Sequence, residues 1–322
     1  MSDEPAQTLT DSDLPPLFHH ADKRSIRAQR FFFTWLQSEL ILLGLGVLVG
    51  SFNGAMTQVG PVSLLVPPFT VVGIRITTLS AFEIAEAALL ALALVMRLVR
   101  FITRPERLWY EARAVAESVK SIAWRYAVGG EPFQEANSPD GLRAIVADRF
   151  ETMQADLSRY KAPDAVRQLH QVTPGMEAVR GLPLDARKRI YRGTRVADQL
   201  GWYSRKSRFN RRRALQSHIT LIVVEILAVG VALLPIILAA LHFFPLNLQS
   251  LAANIAGGGA AWMQAKRYED LDVSYRVTAS ELTQVSKDIE HQRDEASWAH
   301  FVENVEGSMS REHQLWRATR TD

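Results

Sequence analysis

Glu83, Glu86, Leu90, Ala93, Arg97 and Arg100 follow one another at spacings of 3, 4, 3, 4 and 3. On a helix that spacing places all six on one stripe, with carboxylates at one end and guanidinium groups at the other. The stretch that carries them, Ala81 to Arg100, is otherwise mostly leucine and alanine. Charges in such a setting permit two chemistries. In the first, all four lie at the depth of lipid headgroups, where long side chains snorkel and arginines mark the cytoplasmic side. In the second, the stripe lines a water-filled path, and a ring of carboxylates selects cations at its outer end. The arginines fit the first reading well. The glutamates fit it less well, because they reach poorly and no orientation rule requires them.

Glu225 is the sharper residue. It lies about two turns into the apolar run His218–Phe244, where a charge costs about 2.5–3.5 kcal/mol on insertion scales. Such a group faces the protein interior or a cavity, and burial favours its neutral form. It is either a hydrogen-bonding link between helices or a pore, gate or proton-sensitive position. Ala253, Gly257 and Ala261 form a small-xxx-small row suited to close helix contact. Arg208, Arg211, Arg212 and Arg213 stand directly before an apolar run, where anionic lipid headgroups are their natural ligand.

Nothing in the sequence points to catalysis, a metal, a cofactor or nucleic acid. The chain has no cysteine, which removes disulfides and thiolate chemistry. There is no phosphate-binding loop, dinucleotide fingerprint, zinc-protease motif or serine-hydrolase elbow. "SREH" at Ser310–His313 has a Glu and a His but no second ligand at metal spacing, so it reads as a solvated helix end.

The elements that must position these residues are apolar helices. About 20 mostly apolar residues cross a bilayer, and four stretches qualify, at about 38–57, 81–102, 218–241 and 248–265. The fourth is short and carries Asn254 and three consecutive glycines; only a few residues separate it from the third, which favours a return across the bilayer. Basic residues cluster before the first span, after the second, before the third and after the fourth. The positive-inside rule then places both termini and the middle region in the cytoplasm. The connection "VGPVSLLVPPFTVVGIRITTLS" is too rich in proline for a helix and reads as an ordered outer loop.

The remainder reads as long amphipathic helices, and the fold class is an all-α membrane protein. Residues 103–217 carry 22 Lys/Arg against 13 Asp/Glu, and residues 266–322 carry 8 against 12. That asymmetry suggests surfaces and partners more than an enzyme. Leu108, Ala112, Val115, Val119, Ile122 and Tyr126 keep a three-four spacing that predicts one packing face. Thr103-Arg104-Pro105-Glu106 reads as a capping box with an early proline. Shorter helices are predicted at about 141–160 and 163–171. A long one begins near Thr194 and runs into the third span, and two more follow the fourth. The organisation is a polar tail (1–30), a first two-span module (31–165) and a second (166–322). Each module is a pair of spans followed by a charged helix, with Glu117 and Glu281 at similar distances past the spans, a hint of an internal repeat.

"RLWYEARAVAESVKSIAWRYAVGGEPF" (107–133), "ADQLGWYSRKSRFN" (197–210) and "WAHFVENVEGSMSREHQLWRATR" (298–320) resemble the bacterial SLATT proteins. These are two-transmembrane effectors associated with SMODS nucleotidyltransferases and SLOG sensor domains. The resemblance covers most of the chain from about residue 20, as two modules of different subtype in tandem. It implies a pore-forming effector in bacterial conflict or anti-phage systems, acting on a nucleotide signal or a sensor protein supplied by a partner. It carries over no functional residue. The residues themselves lead to a four-span membrane protein that forms a homo-oligomer, with Glu225, Glu83 and Glu86 as pathway or gate candidates beside Arg97 and Arg100. The rival readings are a non-toxic ion channel or transporter and a non-conducting membrane scaffold.

Overall fold

A computed structural model describes residues 8–59, 69–71, 74–76, 81–134, 144–145, 147–148, 160–237 and 248–318. Its helices are α1 (Pro16–Val59), α2 (Ala81–Thr103), α3 (Pro105–Val128), α4 (Asp164–Arg167), α5 (Pro174–Arg180) and α6 (Leu184–Ile190), then α7 (Ala197–Ile237), α8 (Leu248–Lys266), α9 (Tyr268–Asp288) and α10 (Glu295–Ala318). A π-helical turn, Tyr191–Val196, joins α6 to α7. The long pattern predicted from Thr194 is thus one continuous rod into the apolar run. The helix predicted at 163–171 shortens to the four residues of α4. The one at about 141–160 lies largely outside the described residues, as do most of the first outer loop and the end of the third span.

Among the described residues the all-helical expectation has one departure. Phe69–Val71 (β1) and Ile74–Ile76 (β2) pair antiparallel, with Phe69 opposite Ile76 and Val71 opposite Ile74. Three residues per strand is too short for an alternation signal to rise above its surroundings.

The chain divides into two compact units. One comprises residues 1–31, 104–208 and 272–322, the other 32–103 and 209–271. The first unit has an ordinary hydrophobic core. Ala112, Val115, Val119 and Tyr126 of α3 are buried, with Leu108 and Ile122 partly so, as the three-four spacing predicts. Against them pack Trp298, Val302 and Val305 of α10, Met176 and Val179 of α5, and Leu17, Phe18 and Ala21 of α1. The end of α3 is sealed by side chains from three other elements. The Val128 carbonyl accepts from Arg187 Nη1 at 2.7 Å and Trp298 Nε1 at 2.8 Å. The Tyr126 carbonyl accepts from Arg180 Nη1 at 2.7 Å. Terminal helix carbonyls need such partners when buried. Gly129 follows at φ +79°, where a side chain is strained, and a Cβ there would stand 2.5 Å from Arg187 Nη1, so glycine is favoured.

The predicted capping box does not form. Thr103 donates its hydroxyl to the Val99 carbonyl one turn back, inside α2. The residue ahead of α3 is Arg104, in the left-handed region at φ +43° and without a side-chain cap, with Pro105 next. The proline opens α3 directly after the break at Arg104, lacks an N–H that would need a cap, and leaves the threonine free to finish α2. Arg267, between α8 and α9, has φ +50°. These are the two non-glycine residues of positive φ among those described. Both join an apolar helix to a charged one, and this backbone repetition supports the internal repeat better than residue identity does.

Candidate functional site

In the second unit, α1 and α2 lie side by side in antiparallel register. Gly46 faces Leu90, and a Cβ at Gly46 would meet Leu90 Cδ2 at 3.1 Å. A Cβ at Gly50 would stand 2.7 Å from both carboxylate oxygens of Glu86. Ala93 is buried. Further along, Glu39 is 5% exposed and receives both arginines, Arg100 Nη2 at 2.8 Å and Arg97 Nε at 3.5 Å. The stripe therefore faces α1 over most of its length. Glu86, Arg97 and Arg100 are brought together with α1, while Glu83, a turn earlier, is exposed.

Glu39 completes this arrangement, and its place could be read only through register. The position sums 46 and 90, 50 and 86, and 39 and 97 are equal, as an antiparallel pair requires. The Glu39–Arg100 contact has the distance of an ion pair without full hydrogen-bond alignment. Glu39 Oε2 and Arg100 Nη1 are buried with no hydrogen-bond partner. Burying a pair so imperfectly satisfied gives little net stability, whereas removing one partner strands the other.

Glu225 sits apart from this seam, exposed on α7 between exposed Ile222 and Ile226. Exposed Ile219, Val223, Leu227 and Val229 extend the apolar surface around it. The row Ala253, Gly257 and Ala261 is likewise exposed, and a Cβ at Gly257 would meet nothing within 4 Å. The close approach on α8 is made by Gly259, where a Cβ would meet Leu221 Cδ2 of α7 at 2.7 Å. On α8's other contacting side, Trp262 packs edge-on to Phe33 of α1 with centroids 5.7 Å apart. Lys266 Nζ rests 3.3 Å from the centroid of the Phe33 ring and 4.6 Å from that of Trp262. The predicted packing row is thus turned away from the contacts α8 makes with α1 and α7.

Arg208, Arg211, Arg212 and Arg213 are all exposed, while Asn210 and Ala214 between them are buried. Arg213 lies over the exposed Phe209 ring at 5.4 Å, a cation beside an apolar face as headgroup depth favours. His218, one turn beyond, meets Glu269 at 2.7 Å.

Sequence reasoning missed a buried ionic cluster in the first unit. Arg195 Nε and Nη2 donate to Glu306 Oε1 and Oε2 at 2.9 and 2.8 Å, and Tyr191 Oη donates to Oε1 at 2.9 Å. Glu306 is fully buried and Arg195 nearly so. Burial acts to lower the Arg195 pKa, but the facing carboxylate outweighs it and raises it. Burial, then Glu306, push the Tyr191 phenol well up. A signal for it exists: Trp298, Val302, Val305 and Met309 form α10's buried stripe, and Glu306 lies within it. A charge on an apolar stripe calls for a buried partner.

Among the described residues, two stretches are long and apolar enough to cross a membrane by length and composition, Pro16–Phe52 and Leu184–Gly230. Little of either apolar window is buried within the chain. α2 has four charges in 23 residues, and α8 is 19 residues long with three glycines in a row. With Ile41, Leu94, Phe101, Ile102, Leu215 and Leu227 also exposed, the second unit presents many exposed large apolar side chains, as a membrane or partner contact requires.

The comparisons agree with this picture. The model of the family described as SMODS and SLOG-associating 2TM effector domain 3 matches residues 15–188, and that of effector domain 1 matches residues 191–316. No curated protein and no solved structure matches the chain.

Proposed function

The chain belongs to the SLATT family, with two modules in tandem, and from that premise we propose that it is a bacterial inner-membrane effector whose copies assemble into a pore. α1, α2, α7 and α8 cross the bilayer, with both termini and the charged helices in the cytoplasm. Arg208, Arg211, Arg212 and Arg213 hold the cytoplasmic rim against anionic headgroups. Permeabilisation follows a nucleotide signal or a sensor protein acting on the cytoplasmic helices, in a conflict or anti-phage response.

The observation that carries this reading is the position of Glu225. It is exposed amid isoleucines on α7 and has no hydrogen bond or ion pair with a described residue of its own chain. A carboxylate left against lipid is costly, and assembly removes that cost by turning it toward a wet lumen or a neighbouring copy. The exposed row Ala253, Gly257 and Ala261 offers a seam where a second copy's helix can approach closely. Glu83, exposed at the outer end of α2, is a second candidate for the pathway. Glu86, Arg97 and Arg100 serve the pore by fixing α2 on α1.

Flux from ion-loaded liposomes carrying the full chain tests the reading, with Glu225→Leu alongside and candidate cyclic nucleotides added. Leakage that the substitution alters supports a pore with Glu225 in its path. Leakage the substitution leaves unchanged keeps the pore and removes Glu225 from it. Selective flux with no harm to a host cell indicates an ion channel or transporter. Absence of flux with every nucleotide overturns a pore gated by nucleotide alone and leaves a pore opened by a sensor protein or a membrane scaffold.

A further inference from the structure

We propose that Glu131, His300 and Glu303 bind a divalent transition-metal ion, with Zn²⁺ the best match, and that the ion ties the loop after α3 to α10. One ligand atom from each residue lies within 4.8 Å of the other two. His300 and Glu303 stand at i and i+3 on α10 and so share a face. Glu131 comes from the other side, and its backbone is held on both of its polar groups. Its N–H donates to the Ala299 carbonyl at 3.2 Å, and its carbonyl accepts from Arg125 Nε at 2.6 Å. The third donor is therefore placed beside the other two by bonds that do not draw on its carboxylate.

The donors fit an ion better than they fit each other. His300 Nδ1 is 3.6 Å from Glu131 Oε1, too far for a hydrogen bond. Zinc–nitrogen and zinc–oxygen bonds of about 2.0–2.2 Å put tetrahedral neighbours about 3.4 Å apart. The pair already has nearly that spacing, and the third donor closes the rest by side-chain rotation. Arg125 Nη2 meets Glu303 Oε1 at 3.1 Å and fixes that carboxylate's orientation, as partners of metal ligands do. One imidazole with two carboxylates suits zinc, whereas calcium and magnesium take oxygen ligands. His300 is exposed, so a fourth coordination position opens to water. Two carboxylates against one guanidinium leave a local charge of −1 for the cation to offset.

The site spans the two modules. Glu131 lies in the segment matched by the first family model, and His300 and Glu303 in the segment matched by the second. Bound metal would strengthen the α3–α10 contact that joins them.

The test is calorimetric titration of the full chain in detergent with ZnCl₂ in chelator-free buffer, followed by Co²⁺ and its visible absorption. His300→Ala and Glu131→Gln alter half-exposed or exposed side chains and leave the core intact; His291→Ala is the control on another exposed histidine. The expected result is one ion per chain with a micromolar Kd, weakened at least tenfold by either site variant and unchanged by the control. Absence of binding up to about millimolar Zn²⁺, or affinity equal in all variants, overturns the proposal. The cluster would then be an ion-pair network only.

Discussion

Replacing Glu306 by leucine leaves the Arg195 guanidinium buried without its counter-charge. Arg195 is 3% exposed and Glu306 0%, so solvent offers no relief. Three hydrogen bonds end on the Glu306 carboxylate, two from Arg195 and one from Tyr191. Breaking a buried pair on one side costs about 3–5 kcal/mol. The unit that holds it has roughly the size at which 1 kcal/mol moves Tm by about 2–4 °C, so the melting point should fall by about 6–20 °C. The pair is imperfect even when intact, since Arg195 Nη1 is buried with no hydrogen-bond partner. Exchanging the whole cluster for apolar groups should therefore recover most of the loss. Tyr191 must be included, because its hydroxyl without an acceptor costs about 1–3 kcal/mol. Thermal unfolding of the full chain in detergent compares Glu306→Leu with the triple variant Arg195→Met/Tyr191→Phe/Glu306→Leu. A triple variant as unstable as the single one, or worse, would refute the view that the stranded charge carries the cost.

Three further outcomes are expected. Gly129→Ala forces a side chain into φ +79° and against Arg187; the strain should lower stability by about 1–2 kcal/mol in denaturant unfolding, and an unchanged midpoint would dismiss it. His20, near the start of α1 and ahead of its apolar run, has its pKa lowered by burial first and then by Arg24 and Arg27, so below its usual 6.5 the unfolded chain takes up the proton before the folded one does. Stability should fall as pH drops from about 6.5 through the folded value, and His20→Gln should flatten that limb in thermal melts. Tyr160, which hydrogen-bonds His20 at 2.9 Å, has a phenol pushed up to about 12 by burial. Its contribution is full below about pH 10 and is lost between about 10 and 12; Tyr160→Phe should lessen the alkaline slope, and an equal slope would sink the assignment.

Periodicity shows which residues share a face, and there the sequence is legible. The buried positions on α3 and the single stripe on α2 follow from three-four spacing alone. What the stripe faces cannot be read in that way. Nothing in the residues around Glu39 marks it as a partner for the α2 arginines; only the antiparallel register of α1 and α2 sets it against Arg97 and Arg100. The row Ala253, Gly257 and Ala261 has the spacing of a packing face, yet Gly259 makes the close approach. Small residues permit contact without dictating the side from which it comes. The break at Arg104 escapes the sequence because Thr-x-x-Glu is a cap only if the threonine leaves the preceding helix, and Thr103 instead bonds back to Val99.

The two family segments meet between residues 188 and 191, yet that boundary does not divide the core. α3 lies in the first segment, and its buried face packs on Trp298, Val302 and Val305 of the second. A fragment ending at residue 190 would leave the buried face of α3 without α10, the Trp124 ring without Tyr191 and the Val128 carbonyl without Trp298 Nε1. Losing one buried tryptophan alone costs about 3–5 kcal/mol, a large share of the roughly 5–15 kcal/mol a domain holds. The fragment 1–190 should therefore lack a cooperative melt when expressed alone in membranes. Co-expression with 191–322 should restore one, because every missing contact is then supplied. A sharp transition from 1–190 by itself would show that the tandem modules fold independently, and the shared core would lose its standing as the link between them.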